Sequence, residues 1–114
     1  MRLHTTALDL SIRKDVMEEN IIVKHIGKPV LLEQAAEECT ELSHACLKMA
    51  RKMRGENPTP KTMEEIQHSL TEEVADVLLC IQFLIDADLI DDQKVDFIIE
   101  EKHRRWIHRL NNLN

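Results

Sequence analysis

The strongest constraint on the fold is an apolar stripe of helical period in the middle of the chain. Between residues 30 and 54 its members are spaced by three or four residues: Leu31, Ala35, Cys39, Leu42, Cys46, Met49 and Met53. This spacing places them on one side of an α-helix. Gly55 ends the stripe, and a segment containing Pro58 and Pro60 cannot continue it. The stripe therefore predicts a long amphipathic helix over 30–54.

Three further helices are predicted around this one. The first covers roughly 8–24, and a β-branched run at 21–23 could end it early. The third begins at a capping box formed by Thr62 and Glu65, with Ser69 and Glu72 as an alternative start. Its apolar side chains are Leu70, Val74, Val77, Leu78, Ile81 and Leu84, and those of the fourth helix, about 92–111, are Val95, Ile98, Ile99, Trp106 and Leu110.

The composition excludes a β-sandwich or β-barrel. The chain has only 2 glycines and 3 prolines in 114 residues, too few for the frequent turns that such folds need. We therefore predict one all-α domain over 1–114, a small four-helix bundle. Residues 1–29 form an N-terminal helix and linker, and residues 30–111 form the core helices. A chain of this size buries only about two-thirds of its unfolded surface, so we expect oligomerisation to complete the core.

Charge and cysteine content limit the partners and the compartment. The formal net charge of -6 argues against nucleic acid as a partner, because that contact needs clustered Lys and Arg. No apolar run reaches the roughly 18 residues of a membrane span, and the first residues lack a signal-peptide core. Three cysteines cannot all pair. Cys39 and Cys46 lie on the apolar stripe, so we predict buried thiols in a reducing cytoplasm. Trp106 and Phe83 are predicted to be core or subunit-interface residues.

Two pairs of acidic residues suggest a metal site. Glu38 and Glu41 are three residues apart on the second helix, and Glu73 and Asp76 have the same spacing on the third. Residues at this spacing lie side by side on a helix, where like charges repel unless a cation lies between them. Carboxylate oxygens are the ligands that Mg²⁺ prefers. The alternative is an ordinary solvated acidic face.

A helical hairpin would bring the two pairs to the same level. The midpoint of positions 41 and 73 is 57, as is that of 38 and 76, and position 57 lies in the predicted turn. Both pairs also border their apolar stripe on the same rotational side. In antiparallel helices packed through those stripes, they fall on one face of the pair. The spacing therefore predicts that the four carboxylates converge.

These residues resemble the signature of the MazG-like, all-α nucleoside triphosphate pyrophosphohydrolases. That signature is E-x-x-E on one helix and E-x-x-D on the next, here at Glu38 to Glu41 and Glu73 to Asp76. The surrounding segments 31–42 and 70–78 and a terminal Glu101-Lys102-x-x-Arg105 pattern are also similar, so the resemblance covers roughly 30–110. The 31 residues between Glu41 and Glu73 exceed the usual gap of the family.

The resemblance implies an enzyme that cleaves a nucleoside or deoxynucleoside triphosphate to the monophosphate and pyrophosphate. By the same resemblance, Glu38, Glu41, Glu73 and Asp76 hold Mg²⁺, with Mn²⁺ as a possible substitute, and the bound metal activates the attacking water. Lys102 and Arg105 then resemble phosphate contacts. Lys48, seven residues after Glu41 on the same strip of its helix, is a further candidate phosphate contact. The family also implies a homodimer or homotetramer.

Two alternatives remain. One is a non-catalytic helical interaction or regulatory module that keeps the same scaffold. The other is a di-iron carboxylate bundle, suggested by two E-x-x-H strings, Glu41 to His44 and Glu65 to His68. The second alternative is weaker, because Glu65 and His68 lie near the start of the third helix. In a hairpin that turns at position 57 they are far from the level of Glu41, so both histidines are predicted to be surface or rim residues.

Overall fold

The structure, a computed structural model, describes residues 16–56 and 60–113. It contains four helices: α1, Val16–Ile26; α2, Lys28–Arg54; α3, Met63–Asp86; and α4, Asp92–Asn111. No strand occurs in this part of the chain. The all-α, four-helix prediction is confirmed, and the predicted bounds of the last three helices agree with the observed ones to within two residues. The part of the predicted first helix at 8–15 lies outside the described residues.

A single glycine separates α1 from α2. The β-branched run at 21–23 does not end α1, which continues to Ile26. Gly27 then adopts φ 85° and ψ 153°, a conformation that is essentially restricted to glycine. Its N–H donates to the Val23 carbonyl at 3.2 Å, and its carbonyl accepts the Leu31 N–H at 3.1 Å. Pro29 follows in the first turn of α2, where a missing N–H is tolerated.

Both ends of the connection between α2 and α3 are capped. Gly55 is left-handed at φ 75°, and the N–H of Glu56 donates to the Arg51 carbonyl at 3.0 Å. At the start of α3, the Thr62 hydroxyl accepts the Glu65 N–H at 3.1 Å, and the Glu65 carboxylate accepts the Thr62 N–H at 3.2 Å. Of the two predicted starts, the structure has the one at Thr62.

The α2–α3 hairpin is the main packing unit of the molecule. The two helices pack along their length, and α1 packs on both. The most deeply buried apolar side chains are Leu31 and Ile66, each 2 % exposed. On the side of α2 that faces α3, the side chains that are at least half-buried are spaced by three or four residues: Leu31, Ala35, Glu38, Leu42, Ala45, Met49 and Lys52.

The predicted burial of Cys39 and Cys46 is wrong, because both are exposed in the chain, as is Met53. The predicted stripe shares four positions with the observed line of half-buried residues that faces α3. Compared with the predicted stripe, this observed line is rotated by about 30° around the helix axis, toward Glu38 and Ala45. The physical reason is that the apolar arc of α2 is wider than one neighbouring helix can cover. The outer part of that arc is left in solvent.

Helix α4 makes hardly any contact with the other helices of the described chain. It follows a short elbow in which Asp88 has φ 59°, and it begins at Asp91, whose carboxylate accepts the N–H groups of Gln93 and Lys94. Trp106 is 66 % exposed, so it is not a core residue of this chain. Its placement at a subunit interface stays a prediction. None of the described helices is both long and apolar enough to cross a membrane.

Candidate metal centre

Three acidic side chains from two helices converge beside the α2–α3 contact. Glu38 on α2 and Glu73 and Asp76 on α3 each offer one carboxylate oxygen, and these oxygens lie within 4.8 Å of one another. Glu38 and Glu73 are half-buried, and Asp76 is exposed. The convergence predicted from the hairpin is therefore present for these three residues. Their role as metal ligands stays a prediction.

Glu41, the fourth predicted acid, joins the cluster through Glu73. The two carboxyl groups are close enough to hydrogen-bond, and the charge of Glu41 acts on Glu73. Glu41 itself is exposed and is not one of the three mutually close oxygens. The structure thus places Glu41 at the rim of the cluster, on the side nearer the 55–62 connection.

Two buried carboxylate oxygens in this cluster have no hydrogen-bond donor among the residues that the structure describes. Oε1 of Glu38 accepts a hydrogen bond from Nε2 of Gln34 at 3.0 Å, which orients the carboxylate. Oε2 of Glu38 and Oε2 of Glu73 are buried without a hydrogen-bond donor from the described part of the chain. A buried polar atom without a partner costs stability, and a buried carboxylate costs more than a neutral group. A divalent cation would supply the missing partner, so the donor set fits a hard metal ion.

The electrostatics of the cluster agree with this fit. Burial raises the pKa of the Glu73 carboxyl, and the negative charges of Glu41 and Asp76, a hydrogen bond with Glu41 and the charge of Glu38 raise it further. The ionised cluster is therefore under electrostatic strain that a cation would relieve. Burial also raises the pKa of the nearby Cys80 thiol, with Glu38 and Asp76 adding to the effect, so this thiol stays protonated near neutral pH.

A cleft of about 290 Å³ adjoins the cluster between α2 and α3. Its described walls are Glu41, His44, Ala45, Lys48, Ile66, Ser69 and Glu73. Lys48 therefore lines the same cleft as two of the acids, Glu41 and Glu73, and its role as a phosphate contact stays a prediction. His44, which was predicted to be a surface or rim residue, also lines the cleft. Ser69 lines it too and was not predicted as a site residue. Ser69 precedes Glu73 by four residues on α3, and this spacing was the signal that could have identified it.

The structure does not bring Lys102 and Arg105 to this cleft. Both are exposed on α4, and none of the described residues that line the cleft comes from α4. The E-x-x-H residues near the start of α3 are also engaged elsewhere. Glu65 completes the helix cap, and Nε2 of His68 lies 2.9 Å from a carboxylate oxygen of Glu72. The geometry therefore gives no support to a di-iron site that uses both E-x-x-H strings.

Comparison with family models, curated proteins and solved structures found no match to this chain. Three converging carboxylates, a fourth at the rim and a lysine in the adjoining cleft can hold a divalent cation and an anionic ligand side by side.

Proposed function

We propose that the protein hydrolyses nucleoside or deoxynucleoside triphosphates to the monophosphate and pyrophosphate in a Mg²⁺-dependent reaction. The observation that carries the proposal is a pair of buried carboxylate oxygens, one each of Glu38 and Glu73, that have no hydrogen-bond donor among the described residues. Their cluster adjoins a cleft lined by Lys48. A net charge of -6 opposes the binding of a polyphosphate unless a cation accompanies it, and the cluster offers carboxylate oxygens, the ligands that Mg²⁺ prefers. The resemblance to MazG-like pyrophosphohydrolases supports the same reaction.

The four acids have two roles in this proposal. Glu38, Glu73 and Asp76 would hold the metal, because their carboxylate oxygens lie within 4.8 Å of one another. A bound Mg²⁺ would lower the pKa of a coordinated water and neutralise phosphate charge. Glu41, at the rim, can orient that water or complete the ligand set. Gln34 keeps the Glu38 carboxylate in place through its 3.0 Å hydrogen bond.

The cleft accommodates part of a nucleotide. Its volume of about 290 Å³ is near the lower limit of small-molecule pockets, which range from about 300 to 1,000 Å³. It fits a phosphate chain, with the ammonium of Lys48 and the hydroxyl of Ser69 as donors. The nucleoside then needs further walls. We propose that a homodimer or homotetramer supplies them, with Lys102 and Arg105 as phosphate contacts from the exposed α4. The three free thiols fit a cytoplasmic location.

Pyrophosphate release tests the function directly. A panel of nucleoside and deoxynucleoside triphosphates is incubated with Mg²⁺ or Mn²⁺, using the wild type, Glu38→Gln, Glu73→Gln and the exposed control Glu64→Gln. We expect each cluster variant to lose at least about 100-fold in rate, since a metal ligand is removed, while the control keeps its activity. Absence of activity on every substrate, or equal activity in Glu38→Gln, would refute the proposal.

The exposed apolar side chains of α4 favour one other function, that of a non-catalytic interaction module. Phe97, Trp106 and Leu110 are 65 %, 66 % and 54 % exposed, as expected of a surface that binds a protein partner. The two functions differ in their response to ligands. An enzyme is stabilised against heat by Mg²⁺ with a non-hydrolysable triphosphate, by about 2.7 kcal/mol at one hundred times the dissociation constant. A module of this kind shows no shift in melting temperature.

A further inference from the structure

Helix α2 carries a second face, uncharged and turned away from α3. It consists of Leu32, Ala36, Cys39, Ser43, Cys46, Ala50 and Met53, which we call the outer face of α2. These residues lie roughly 100° around the helix from the line that contacts α3. Leu32 and Met53 are 48 % and 68 % exposed, and all the others are exposed except Ala50, which is half-buried.

The spacing of the outer face is that of a helix–helix seam. Its residues follow one another at alternating intervals of four and three, without interruption from Leu32 to Met53. An interval that averages 3.5 residues keeps a stripe facing a partner helix along its whole length. Small side chains in the middle, at Ala36, Ser43 and Ala50, would let the backbone of a partner approach closely. Within the described chain, no helix covers this face.

The outer face is also nearly the same when read in either direction. From both ends inward it has a large apolar residue, an alanine and a cysteine, and Ser43 lies at the centre. An antiparallel copy of α2, related by a two-fold axis near Ser43, would therefore place Leu32 against Met53, Ala36 against Ala50 and Cys39 against Cys46. A symmetric dimer requires this kind of self-complementary surface.

The charges beside the outer face fit the same arrangement. One flank is formed by every seventh residue, which are Glu33, Thr40, Leu47 and Arg54. The acidic residue is at the first turn and the basic residue at the last, so an antiparallel copy brings Glu33 opposite Arg54 of the other chain, twice per dimer. A parallel copy would place like charges together, which disfavours that orientation. Leu47, on this flank, is 56 % exposed and would be covered by the same contact.

From these observations we infer that the outer face of α2 is a homodimer interface, in which two α2 helices pack antiparallel about a two-fold axis near Ser43. The occupant is a second copy of this chain, because the pattern is complementary to itself in both side-chain size and charge. The outer face lies on the opposite side of α2 from the cleft residues Glu41 and Lys48. This dimer is therefore a different contact from the one that the proposed function needs to complete the cleft, and the inference does not rest on that function.

Cysteine cross-linking tests the orientation. Copper phenanthroline in air oxidises facing thiols, and Cys80 is buried, so only Cys39 and Cys46 are available. We expect the wild type to form a dimer of twice 13.3 kDa on non-reducing gels. Cys39→Ser and Cys46→Ser should each lose it, because the residue facing the remaining cysteine is then a serine. Adding Ser43→Cys to the variant that carries both Cys39→Ser and Cys46→Ser should restore the cross-linked dimer, because position 43 lies at the two-fold axis and faces its own copy. Cross-links that persist in either single variant would overturn the proposed pairing.

Sedimentation tests the interface itself. Ala36→Glu places two carboxylates inside the proposed contact, and we expect the dimer dissociation constant to rise at least about tenfold. The matched control, Gln67→Glu, adds the same charge to an exposed position on α3 and should leave the dimer intact. Circular dichroism verifies that both variants stay helical. A monomeric wild type would overturn the inference. So would a dimer that dissociates with Trp106→Glu but not with Ala36→Glu, because that result would place the interface on α4.

Discussion

At the scale of single residues, Glu38 combines packing with charge. It lies between Ala35 and Leu42 in the line of α2 residues that face α3, a position where an apolar side chain would stabilise the hairpin. Instead it brings a carboxylate with one buried oxygen that has no donor among the described residues. A buried carboxylate oxygen without a donor costs stability, and the cation of the proposed function would offset that cost.

This placement makes a prediction for the variant Glu38→Gln. Removing the charge relieves repulsion from Glu73 and Asp76, so the metal-free variant should be more stable than the wild type by about 1 kcal/mol. Urea denaturation in EDTA measures the difference. Added Mg²⁺ should stabilise the wild type only. The exposed control Glu64→Gln should stay within about 0.5 kcal/mol of the wild type. A Glu38→Gln variant that is less stable than the wild type in EDTA would contradict this account.

The helix cap at Thr62 predicts a pH dependence. The hydrogen bond from the Thr62 N–H, followed by that from the Thr62 hydroxyl, lowers the pKa of Glu65 below its usual 4.5. A carboxyl group whose pKa is lower in the folded state stabilises that state above the unfolded pKa, and this contribution is lost as the pH falls through the folded pKa. Thr62→Ala should cost about 1 kcal/mol at pH 7. The difference from the wild type should shrink in acid, as urea titrations at pH 7 and pH 3 would show.

At the scale of helices, the break between α1 and α2 depends on backbone conformation alone. A Cβ at Gly27 would meet no atom within 4 Å, yet its φ of 85° and ψ of 153° are unfavourable for any other residue. Gly27→Ala should therefore destabilise the fold by about 1–3 kcal/mol. Gly55→Ala, in the milder left-handed region, should cost about 1–2 kcal/mol. Thermal melting followed by circular dichroism compares the two, and equal stability of Gly27→Ala and the wild type would show that the break is not needed.

The sequence was sufficient to place the helices but not to orient them. The bounds of α2, α3 and α4 followed from periodicity and from local stop and start signals such as Gly55 and Thr62, which act within a few residues. The same spacing could not tell which part of the wide apolar arc of α2 faces α3, so Cys39 and Cys46 were assigned to the wrong side. The convergence of Glu38 with Glu73 and Asp76 was predictable, because a hairpin fixes level and side together.

At the scale of the whole molecule, one chain leaves much apolar surface uncovered. The radius of gyration is 17.0 Å, whereas a compact domain of this length would have about 13 Å. Both the projecting α4 and the outer face of α2 add to the uncovered apolar surface. The position of α4 could not be predicted from sequence, since its apolar stripe has no partner in the described chain.

The uncovered surface predicts a melting temperature that depends on protein concentration. Association stabilises a folded chain by mass action. Raising the protein concentration about 100-fold should therefore raise the melting temperature by several degrees. Differential scanning fluorimetry over that range measures the effect. Ala36→Glu should flatten the dependence, and Gln67→Glu should preserve it. A melting temperature that is constant for the wild type would indicate that the chain is complete as a monomer.

The order of events during folding follows from the location of the acid cluster within a single hairpin. Glu38 and Asp76 come together as soon as two consecutive helices pack, without waiting for α1 or α4. Contacts between neighbouring helices close short loops and form on the fastest folding timescales. Affinity for a divalent cation should therefore develop early in refolding, and a cation present from the start would accelerate the pairing of α2 with α3.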